Sequence, residues 1–336
     1  MTLAEGREMF KEARGAIRKV FVGYDDLVTC MFLCMLTVGN NTTGHLLIIG
    51  KTGTGKTRLS TLIARIFGLD SHRIDGMGEQ LPSDIIGYED IRTNEIVFGP
   101  VCTNLLHADE FNRFSPRTRA ALLAPMAEGV ITIKDTTFKL DPPFIVIATE
   151  NPTSYGDAAP LRPQERDRFL LSFFLDWPSL EEQVEIIGIN LKPPSFDFGL
   201  SQLCSRDDLL LLQKEIAEGI YVDPSIWRYG ALISRQLVPR FSDIPEIKSG
   251  ETLRDASIVR GGNDLVLAAR SYAFFEGSQG VEPRHIEWVA PFALAHRMDA
   301  YTQELSRRQR RSFIERAWKE ARKQMGAPRR ADDNAV

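Results

Sequence analysis

The chain has 336 residues, a length at which two domains are the natural expectation. Hydrophobic residues at 43% and charged residues at 26% are typical of a globular protein and exclude a disordered chain, a collagen and a disulfide framework. A formal charge of −4 excludes a uniformly basic nucleic-acid-binding protein.

The four cysteines and the lack of an N-terminal apolar signal segment predict a reducing, cytoplasmic location. No apolar run approaches the roughly 20 residues that span a bilayer, so we expect no membrane span. Cys30 and Cys34 lie four residues apart and are compatible with a metal site. Because no second Cys or His pair lies nearby in the sequence, packing in the core is the better interpretation.

The first part of the chain alternates helix and strand patterns. Apolar residues recur with helical spacing from Glu5 to Val38, broken by a loop from Val22 to Asp25. Runs of strand length follow at Leu46 to Ile49, Arg73 to Asp75, Thr103 to Ala108, Phe144 to Ala148 and Phe169 to Leu175. The pattern predicts an α/β fold with a parallel five-stranded sheet covered on both faces, and a ligand at the carboxyl ends of its strands.

Two stretches interrupt this alternation. Pro82 to Pro100 is poor in helix signals and is expected to form a hairpin or another structured insertion. In Val130 to Leu140 apolar and polar residues alternate before a polar turn, which predicts a β-hairpin. Both are expected to project from the sheet.

Beyond Ser179 the pattern is helical. We predict helices at Ser179 to Asn190, Arg206 to Glu218, Pro224 to Gln236, Gly262 to Glu276 and Pro283 to Met298, with a long loop from Val238 to Arg260. The expected domains are N-terminal helices with an α/β core over 1–185, a smaller all-helical lid over 186–303, and a basic C-terminal helix and tail over 304–336.

The sequence from Gly50 to Thr57 matches G-x-x-x-x-G-K-[ST] between a predicted strand and a predicted helix. In such a loop, glycines allow backbone N–H groups to surround phosphates, the lysine reaches the outer phosphates, and the hydroxyl ligates Mg²⁺. The candidate nucleotide-binding residues are Gly50, Gly53, Thr54, Gly55, Lys56 and Thr57, and Thr57 is also a candidate metal ligand.

Asp109 and Glu110 follow the third predicted strand. A bound nucleoside triphosphate needs a carboxylate for Mg²⁺ and a group that orients water, both beside the phosphate loop. We expect Asp109 to hold the metal, directly or through its water, and Glu110 to polarise the attacking water. His107, in the same strand, is interpreted as a hydrogen-bonded core histidine.

The fourth predicted strand ends at Ala148 to Pro152, which places Asn151 beside the same edge. Asn151 is a candidate sensor of the γ-phosphate. The alternative is that the Asn-Pro pair only starts a turn.

This set of motifs resembles the AAA+ ATPases, and more narrowly the MoxR family. The resemblance rests on the phosphate loop and on LPSDIIG at Leu81 to Gly87, FGP at Phe98 to Pro100, ADEFNR at Ala108 to Arg113, ATENP at Ala148 to Pro152, and DRFLL at Asp167 to Leu171, in the family's order. It covers most of the chain, from about Val20 to Met298. It implies a P-loop AAA+ core with a helical lid and Mg²⁺-dependent hydrolysis of ATP. The choice of adenine rests on the resemblance alone.

The resemblance also implies roles for single residues. Asn151 matches sensor 1, and Val22 and Gly23 match the loop that contacts adenine. Arg168 matches the arginine finger, which in similar proteins reaches the nucleotide of the neighbouring subunit.

Arg260, at the end of Ser257 to Arg260, is similar to sensor 2 and is expected to touch the phosphates of its own chain. The family's Ser-Pro is Ile258-Val259 here. Arg113 and Arg166 are alternative arginines in trans. The family's usual proline is Thr52 here, which is expected to alter the stiffness of the phosphate loop without abolishing binding.

Proteins of this family form hexameric rings and act with von Willebrand factor A domain partners as chaperone-like remodellers. The resemblance therefore implies a ring-forming ATPase that remodels or activates a protein client. A nucleic-acid motor of the same fold and a nucleotide-gated assembly scaffold are the alternatives. We do not expect nucleic acid as a partner, because the hairpin from Val130 to Leu140 offers only Lys134 and Lys139 beside Asp135.

The charge is unevenly distributed. Residues Ser306 to Val336 contain ten Lys and Arg against four Asp and Glu, a net +6, so residues 1–305 must carry −10 to give the total of −4. Ile314, Trp318, Ala321 and Met325 form an apolar stripe in this basic segment. The stripe predicts a helix docked on the lid, with an acidic neighbouring subunit or partner as the main alternative and nucleic acid or an anionic membrane as a lesser one.

Overall fold

The structure, a computed structural model, describes residues 1–39, 44–50, 56–151, 159–192, 201–241, 256–298 and 307–326. Within these ranges the helices are α1 Leu3–Arg18, α2 Asp25–Leu36, α3 Lys56–Ile66, α4 Pro82–Ile86, α5 Pro116–Glu128, α6 Pro163–Arg166, α7 Leu180–Asn190, α8 Arg206–Gly219, α9 Pro224–Phe241, α10 Ala256–Phe275, α11 Pro283–Met298 and α12 Arg307–Gln324. The strands are β1 Leu46–Ile49, β2 Ser71–Asp75, β3 Gly87–Glu89, β4 Ile96–Phe98, β5 Leu105–Asp109, β6 Val130–Ile133, β7 Thr136–Lys139, β8 Ile145–Glu150 and β9 Leu171–Phe174.

The five strands expected from the apolar runs form one sheet. Its order is β2-β5-β8-β1-β9, and every neighbouring pair is parallel. The predicted parallel five-stranded α/β core is therefore confirmed. All carboxyl ends of these strands lie along one edge of the sheet, which we call the carboxyl edge, and their amino ends form the opposite amino edge.

Both faces of the sheet are buried. Side chains of a strand alternate between faces, and in β1 Leu46 and Ile48 enter one hydrophobic cluster while Leu47 and Ile49 enter another. The first cluster contains residues of α1, α2, α3 and the helices beyond residue 205, and the second contains residues of α4 and α5. This double burial explains why β1 is apolar at every position.

The two predicted insertions are hairpins that contact each other. β3 pairs with β4 and β6 with β7, both antiparallel. Phe98 and Phe138 meet edge to face with ring centroids 5.1 Å apart, and Lys134 Nζ lies 2.6 Å from a carboxylate oxygen of Glu89. The hairpins therefore form one joint feature rather than two independent projections.

The prediction of a loop from Val238 to Arg260 is wrong at both ends. α9 continues to Phe241 and α10 begins at Ala256, so only 242–255, which lie outside the described residues, separate them. The helix predicted from Gly262 therefore begins six residues earlier, and Gly261 and Gly262 lie inside α10. A Cβ at Gly262 would come within 3.0 Å of the Ser234 hydroxyl on α9, so the glycine permits close helix packing, and that packing outweighs its poor helix propensity.

The hydrophobic core is continuous across the predicted boundary at residue 185. Phe10 of α1 contacts Phe67, which follows α3, and Phe274 of α10, with ring centroids 4.9 and 6.4 Å apart. Residues of α1, β1 and α10 thus belong to one buried cluster. The domain limits 1–185, 186–303 and 304–336 remain a prediction.

The described part of the C-terminal segment, 307–326, is docked on the lid helices. Ile314, Ala317 and Ala321 of α12 are fully buried, and α12 packs on α9 and α11. Arg322 pairs with Glu287 of α11, and the Arg310 guanidinium lies 4.9 Å from the centroid of the Phe174 ring. The predicted docking is confirmed, while Arg308, Arg311, Lys319 and Lys323 stay exposed.

No helix among the described residues is long and apolar enough to cross a membrane. Cys30 and Cys34 are free thiols buried in the core, and within the described ranges no group of three or more metal-ligating side chains was found. The packing interpretation of these cysteines is confirmed.

Candidate functional site

The carboxyl edge of the sheet gathers the predicted catalytic residues. Gly50 follows β1, Asp109 ends β5, and Asn151 follows β8. The Gly50 N–H donates to the Glu150 carbonyl at 2.9 Å, and β5 and β8 are neighbours in register. The structure therefore brings the phosphate-loop entrance, the two acidic residues and the sensor candidate to one place.

The predicted phosphate site is described at its two ends, Gly50 and the start of α3. Gly53, Thr54 and Gly55 lie outside the described residues. Lys56 and Thr57 form the first turn of α3, of which the backbone alone is described. The backbone nevertheless places a helix N-terminus directly after the loop, an arrangement that favours anions.

The Asp109 carboxylate is held on both oxygens. The Thr149 hydroxyl of β8 donates to Oδ1, and Arg73 of β2 lies 2.9 Å from Oδ2. His107 Nε2 is 3.9 Å from Oδ1, while its Nδ1 is 3.0 Å from the Ser60 hydroxyl of α3. The interpretation of His107 as a hydrogen-bonded core residue is confirmed.

Thr149 organises both acidic residues. Its hydroxyl accepts the Glu110 backbone N–H at 2.8 Å and donates to Asp109, and the residue is buried. Its place in the ATENP motif was the only sequence signal. Sequence reasoning also missed Arg73. The signal that could have found it is the polar end of its strand, where Asp75 stands opposite Asp109 in the β2–β5 register.

Thr149→Val is expected to lower the rate of the ATP hydrolysis that the motifs predict by about 10- to 100-fold, because residues that orient a ligating carboxylate have effects of this size. Valine keeps the shape of threonine but removes both hydrogen bonds. Thr149→Ser, which retains the hydroxyl, should keep most of the activity. Equal loss in both variants would show that packing of the methyl group, rather than the hydroxyl, matters.

Glu110 adopts an unusual backbone conformation. Its φ of 48° and ψ of 50° are left-handed, and it starts a 3₁₀ turn over Phe111–Arg113. Such conformations persist where the surroundings impose them and cluster at functional sites. The carboxylate lies 2.5 Å from the Arg113 guanidinium, so the residue expected to polarise the attacking water is paired in this structure.

Gly76 supports this turn from β2. Its N–H donates to the Asp109 carbonyl at 2.8 Å, and a Cβ on Gly76 would lie 2.3 Å from the Glu110 carbonyl oxygen. Because the clash is with backbone, it cannot be relieved by a rotamer change. Sequence reasoning missed Gly76, although a glycine beside a strand is a signal that another backbone segment approaches closely.

Gly76→Ala is expected to lower kcat for ATP hydrolysis by about 100-fold, since displacements of about 1 Å at a catalytic group have effects of this order. Gly78→Ala is the matched control, because a Cβ there meets nothing within 4 Å. A steady-state ATPase assay on both variants tests this. Unchanged activity in Gly76→Ala would contradict the role assigned to the turn.

Asn151 is connected to the same turn. Asn112, in the 3₁₀ segment, donates from Nδ2 to the Asn151 carbonyl at 3.2 Å, and its own carbonyl accepts the Ala159 N–H. This hydrogen bond links the backbone of Asn151 to Asn112 in the 3₁₀ turn that follows Glu110. Residues 152–158 lie outside the described part, and the sensor role of Asn151 stays a prediction.

The predicted adenine loop lies beside α7. The Tyr24 hydroxyl donates to the Asp176 carbonyl at 2.6 Å, and a Cβ on Gly23 would lie 2.5 Å from a Glu182 carboxylate oxygen. A Cβ on Gly50 would meet Leu175, the residue before Asp176. Val22 and Gly23 therefore approach the same segment as the start of the phosphate loop, which is compatible with the predicted role.

Arg168 and Arg260 lie at the amino edge. Both line a cavity of about 130 Å³ with Thr37, Gly44, His45, Met126, Ala127, Asp167 and Asp264 among its other residues. Burial lowers the pKa of Arg168, and nearby Arg260 lowers it further. Burial also lowers the pKa of His45 to about 4, so its imidazole is neutral and the two arginines supply the positive charge of this cavity.

The expectation that Arg260 touches the phosphates of its own chain is not supported. Its guanidinium is 3.3 Å from an Asp167 carboxylate oxygen, and its cavity lies at the start of β1, whereas the phosphate loop follows the end of β1. Four residues of strand span about 13 Å. In this structure the lid places Arg260 at the amino edge, whereas the sensor 2 pattern implied a position beside the phosphate loop.

The alternative trans arginines are both engaged within the chain. Arg113 pairs with Glu110, and Arg166 is buried with its guanidinium 3.0 Å from Glu150. Arg168 instead has a buried Nε without a hydrogen-bond partner among the described residues. Among the described residues, Arg113 and Arg166 thus have carboxylate partners, whereas the Nε of Arg168 has no hydrogen-bond partner.

Residues next to Arg168 connect it to the lid. Asp167 accepts Arg297 Nε at 2.9 Å, and Arg297 also pairs with Asp264 of α10. Both ion pairs are largely buried. The lid helices α10 and α11 therefore hold the residue that directly precedes Arg168.

Comparisons with known proteins agree with this architecture. A profile described as the ATPase family associated with various cellular activities (AAA) matches residues 45–171, and one described as an AAA lid domain matches 252–317. Chaperone MoxR1 of Mycobacterium tuberculosis is 33% identical over 300 residues, which cover 86% of this chain and 76% of that protein. The chain belongs to the MoxR family of AAA+ ATPases.

Other MoxR relatives span nearly the whole chain. Protein MoxR of Paracoccus denitrificans is 26% identical over 317 residues, covering 88% of this chain and 90% of that protein. A crystal structure of a protein assigned as an ATPase in Cytophaga hutchinsonii superposes with a TM-score of 0.77 at 29% identity, over 93% of this chain and 94% of that one. The core and the lid of this MoxR-family chain thus both have counterparts in a solved structure.

Proposed function

We propose that this MoxR-family chain hydrolyses ATP at sites shared between neighbouring subunits of a hexameric ring. One observation carries the proposal: Asp109 and Glu110 lie at the carboxyl edge of the sheet, whereas Arg168 and Arg260 lie at the amino edge. The two groups are separated by the length of the central strand. A second subunit must supply the arginines if they act on the nucleotide.

The residues at the carboxyl edge suit a magnesium nucleotide. Mg²⁺ prefers oxygen ligands and is usually held by one or two carboxylates together with substrate phosphates and waters. The Asp109 carboxylate, oriented by Thr149, would hold Mg²⁺ with the Thr57 hydroxyl, while Gly50, Gly53, Thr54, Gly55 and Lys56 would bind the phosphates, and Val22 and Gly23 the adenine. When bound, the metal neutralises charge on the transferred phosphoryl group.

The chain's own groups would then act as follows. Glu110, released from Arg113, orients the attacking water and accepts its proton. Asn151 contacts the γ-phosphate or the water. Arg168 and Arg260 of the neighbouring subunit stabilise the negative charge of the transition state. A trans role for Arg260 replaces the cis role that the sequence suggested.

We further propose a protein client and a von Willebrand factor A domain partner. A chaperone is among the relatives of this chain. Lys134 at the hairpin tip is paired with Glu89, which reduces the positive charge that a nucleic-acid motor would require there. These observations favour remodelling of a protein over movement along a nucleic acid.

The shared site is tested by measuring specific ATPase activity against protein concentration. Specific activity should rise steeply over the concentration range in which sedimentation velocity detects assembly. Lys56→Ala should lose nucleotide binding and serves as the inactive control. Full activity in a dilute monomer would contradict the proposal.

The client is sought with Glu110→Gln, which should retain ATP and trap the assembled ring. An affinity pull-down in ATP should recover a von Willebrand factor A domain protein, and Lys56→Ala should not. Equal client activity of Glu110→Gln and the wild type would instead favour the scaffold alternative, because hydrolysis would then not be needed.

A further inference from the structure

Helix α7 exposes an apolar stripe with an acidic border. Its outward residues are Leu180, Val184, Ile187 and the capping Leu191, whose exposed fractions are 71%, 62%, 52% and 79%. Their spacing places them on one face. Glu181 and Glu185 lie one turn apart along one side of that face, and α7 has no buried residue. A helix with this pattern normally buries its apolar face against another element.

The lid offers a groove of the opposite character between α9 and α10. The groove has a volume of about 670 Å³ and includes the exposed side chains of Trp227 and Val259, with small residues Ala231, Ser234 and Gly262 in its lining. Arg228, Arg235 and Arg270 also line it, and no Asp or Glu is among its described lining residues. It is therefore apolar and positively charged.

We infer that the exposed face of α7 docks in the α9–α10 groove of a neighbouring copy of this chain. The apolar stripe would contact Trp227 and Val259, and Glu181 and Glu185 would approach Arg228 and Arg235. An acidic apolar helix and a basic apolar groove on one chain are complementary surfaces for a head-to-tail contact, which closes into a ring when the rotation fits.

The position of each surface supports this contact. The groove adjoins the cavity of Arg168 and Arg260, since Leu267 lines both and Val259 directly precedes Arg260. α7 adjoins the nucleotide site of its own chain. The side-chain oxygen of Asn190 accepts a hydrogen bond from Arg58 of α3 at 3.2 Å, and Glu182 lies against Gly23. A subunit that inserts its arginines into a neighbour's nucleotide site would therefore bring its groove to that neighbour's α7. The inference rests on the proposed shared site in this respect.

Cross-linking between two differently labelled chains tests the contact. One chain carries Ile187→Cys and the other Trp227→Cys, both with Cys102→Ser, because Cys102 is the exposed thiol among the four cysteines. A short bismaleimide in ATP should give a covalent dimer only in the mixture, which also excludes contacts within one chain. Leu211→Cys on α8, another exposed apolar position, replaces Ile187→Cys in the control mixture and should give none. Absence of the dimer, or equal yield in the control, would overturn the inference.

Charge reversal provides a second measurement that does not depend on linker reach. Glu181→Arg with Glu185→Arg should raise the protein concentration for half-assembly by about 10-fold or more, since like charges at an interface are costly. Adding Arg228→Glu and Arg235→Glu to the same chain should restore assembly. Glu215→Arg with Glu218→Arg on α8 makes the same change in net charge and should have little effect.

The outcomes separate this inference from the proposed function. If rings form and activity depends on assembly, yet neither cross-link nor charge reversal has the expected effect, the docking surfaces are wrong and the shared site stands. If the wild-type chain is active as a monomer, both are overturned.

Discussion

Arg168→Ala is expected to lower kcat for ATP hydrolysis by about 10³- to 10⁵-fold while leaving ATP affinity nearly unchanged, which is the range measured for arginine fingers. The guanidinium acts on charge that develops in the transition state, and it lies at the amino edge, away from the ATP site of its own chain. Its buried Nε has no hydrogen-bond partner among the described residues, so removing the guanidinium breaks no hydrogen bond at that atom. Equilibrium binding of a fluorescent ATP analogue and single-turnover hydrolysis measure the two effects.

A mixing experiment identifies the subunit that supplies the arginine. Glu110→Gln and Arg168→Ala chains should each be inactive alone, but a mixture should regain part of the activity, because an Arg168→Ala chain can offer an intact Glu110 to an Arg168 from its neighbour. Arg206→Ala, which removes an exposed arginine paired with Asp207, is the control and should remain active alone. Failure of the mixture to exceed the sum of its components would contradict a shared site.

Arg297→Ala is expected to lower the free energy of unfolding by about 3 to 5 kcal/mol, the range observed when one partner of a buried ion pair is removed. Arg297 is buried and pairs with Asp167 and Asp264, and its Nη2 donates to the Phe169 carbonyl at 3.2 Å. Its loss would leave two carboxylates without their main partner. Denaturant titration measures the change, and Arg284→Ala is the matched control on the same helix. Arg284 pairs with Glu282 on the surface, where such pairs contribute about 0 to 1 kcal/mol.

The penalty of Arg297→Ala should grow as the pH rises from 5 to 8. Burial already raises the pKa of Asp264, and Arg297 opposes that shift. Without Arg297 the pKa rises further, so the folded state binds a proton that the unfolded state has lost, and stability falls with increasing pH. A penalty that is independent of pH would indicate that Asp264 is not the carboxylate left unpaired.

Arg297→Ala should also reduce hydrolysis at temperatures where the chain is still folded, because Asp167 precedes Arg168 directly. A loss of activity that exceeds the unfolded fraction would support a positioning role of the lid. Arg284→Ala should lose neither stability nor activity.

Most helices and strands could be predicted from the sequence, because the apolar patterns that mark them lie within each segment. The apolar runs from Leu46 to Ile49 and from Phe144 to Ala148 match β1 and β8 closely, since strands buried on both faces are apolar throughout. Asp109 and Glu110 were located by their strand-end position together with their place after the phosphate-loop motif. The ends of α9 and α10 were not predicted, because prolines and a glycine between Val238 and Arg260 read as a loop, whereas α9 continues to Phe241 and α10 begins at Ala256.

The chemistry of the carboxyl edge was predicted only in part. Asp109 and Asn151 could be placed there because carboxyl ends of parallel strands meet at one edge. Thr149 and Gly76 could not be assigned roles, since these depend on which strand lies beside β5. Arg297 gave no sequence signal, because it is separated from Asp167 by 130 residues and the contact exists only after the lid packs on the sheet.

The sequence by itself determined the family, the nucleotide motif and the basic charge of the C-terminal segment, because residue type and spacing carry these properties. The tertiary structure decided where the charged groups meet. The C-terminal apolar stripe packs on α9 and α11, and Arg260 lies with Arg168 at the amino edge. The apolar stripe of α7 and the arginine-lined α9–α10 groove are exposed. Those arrangements depend on contacts between distant segments, which helical and strand periodicity do not encode.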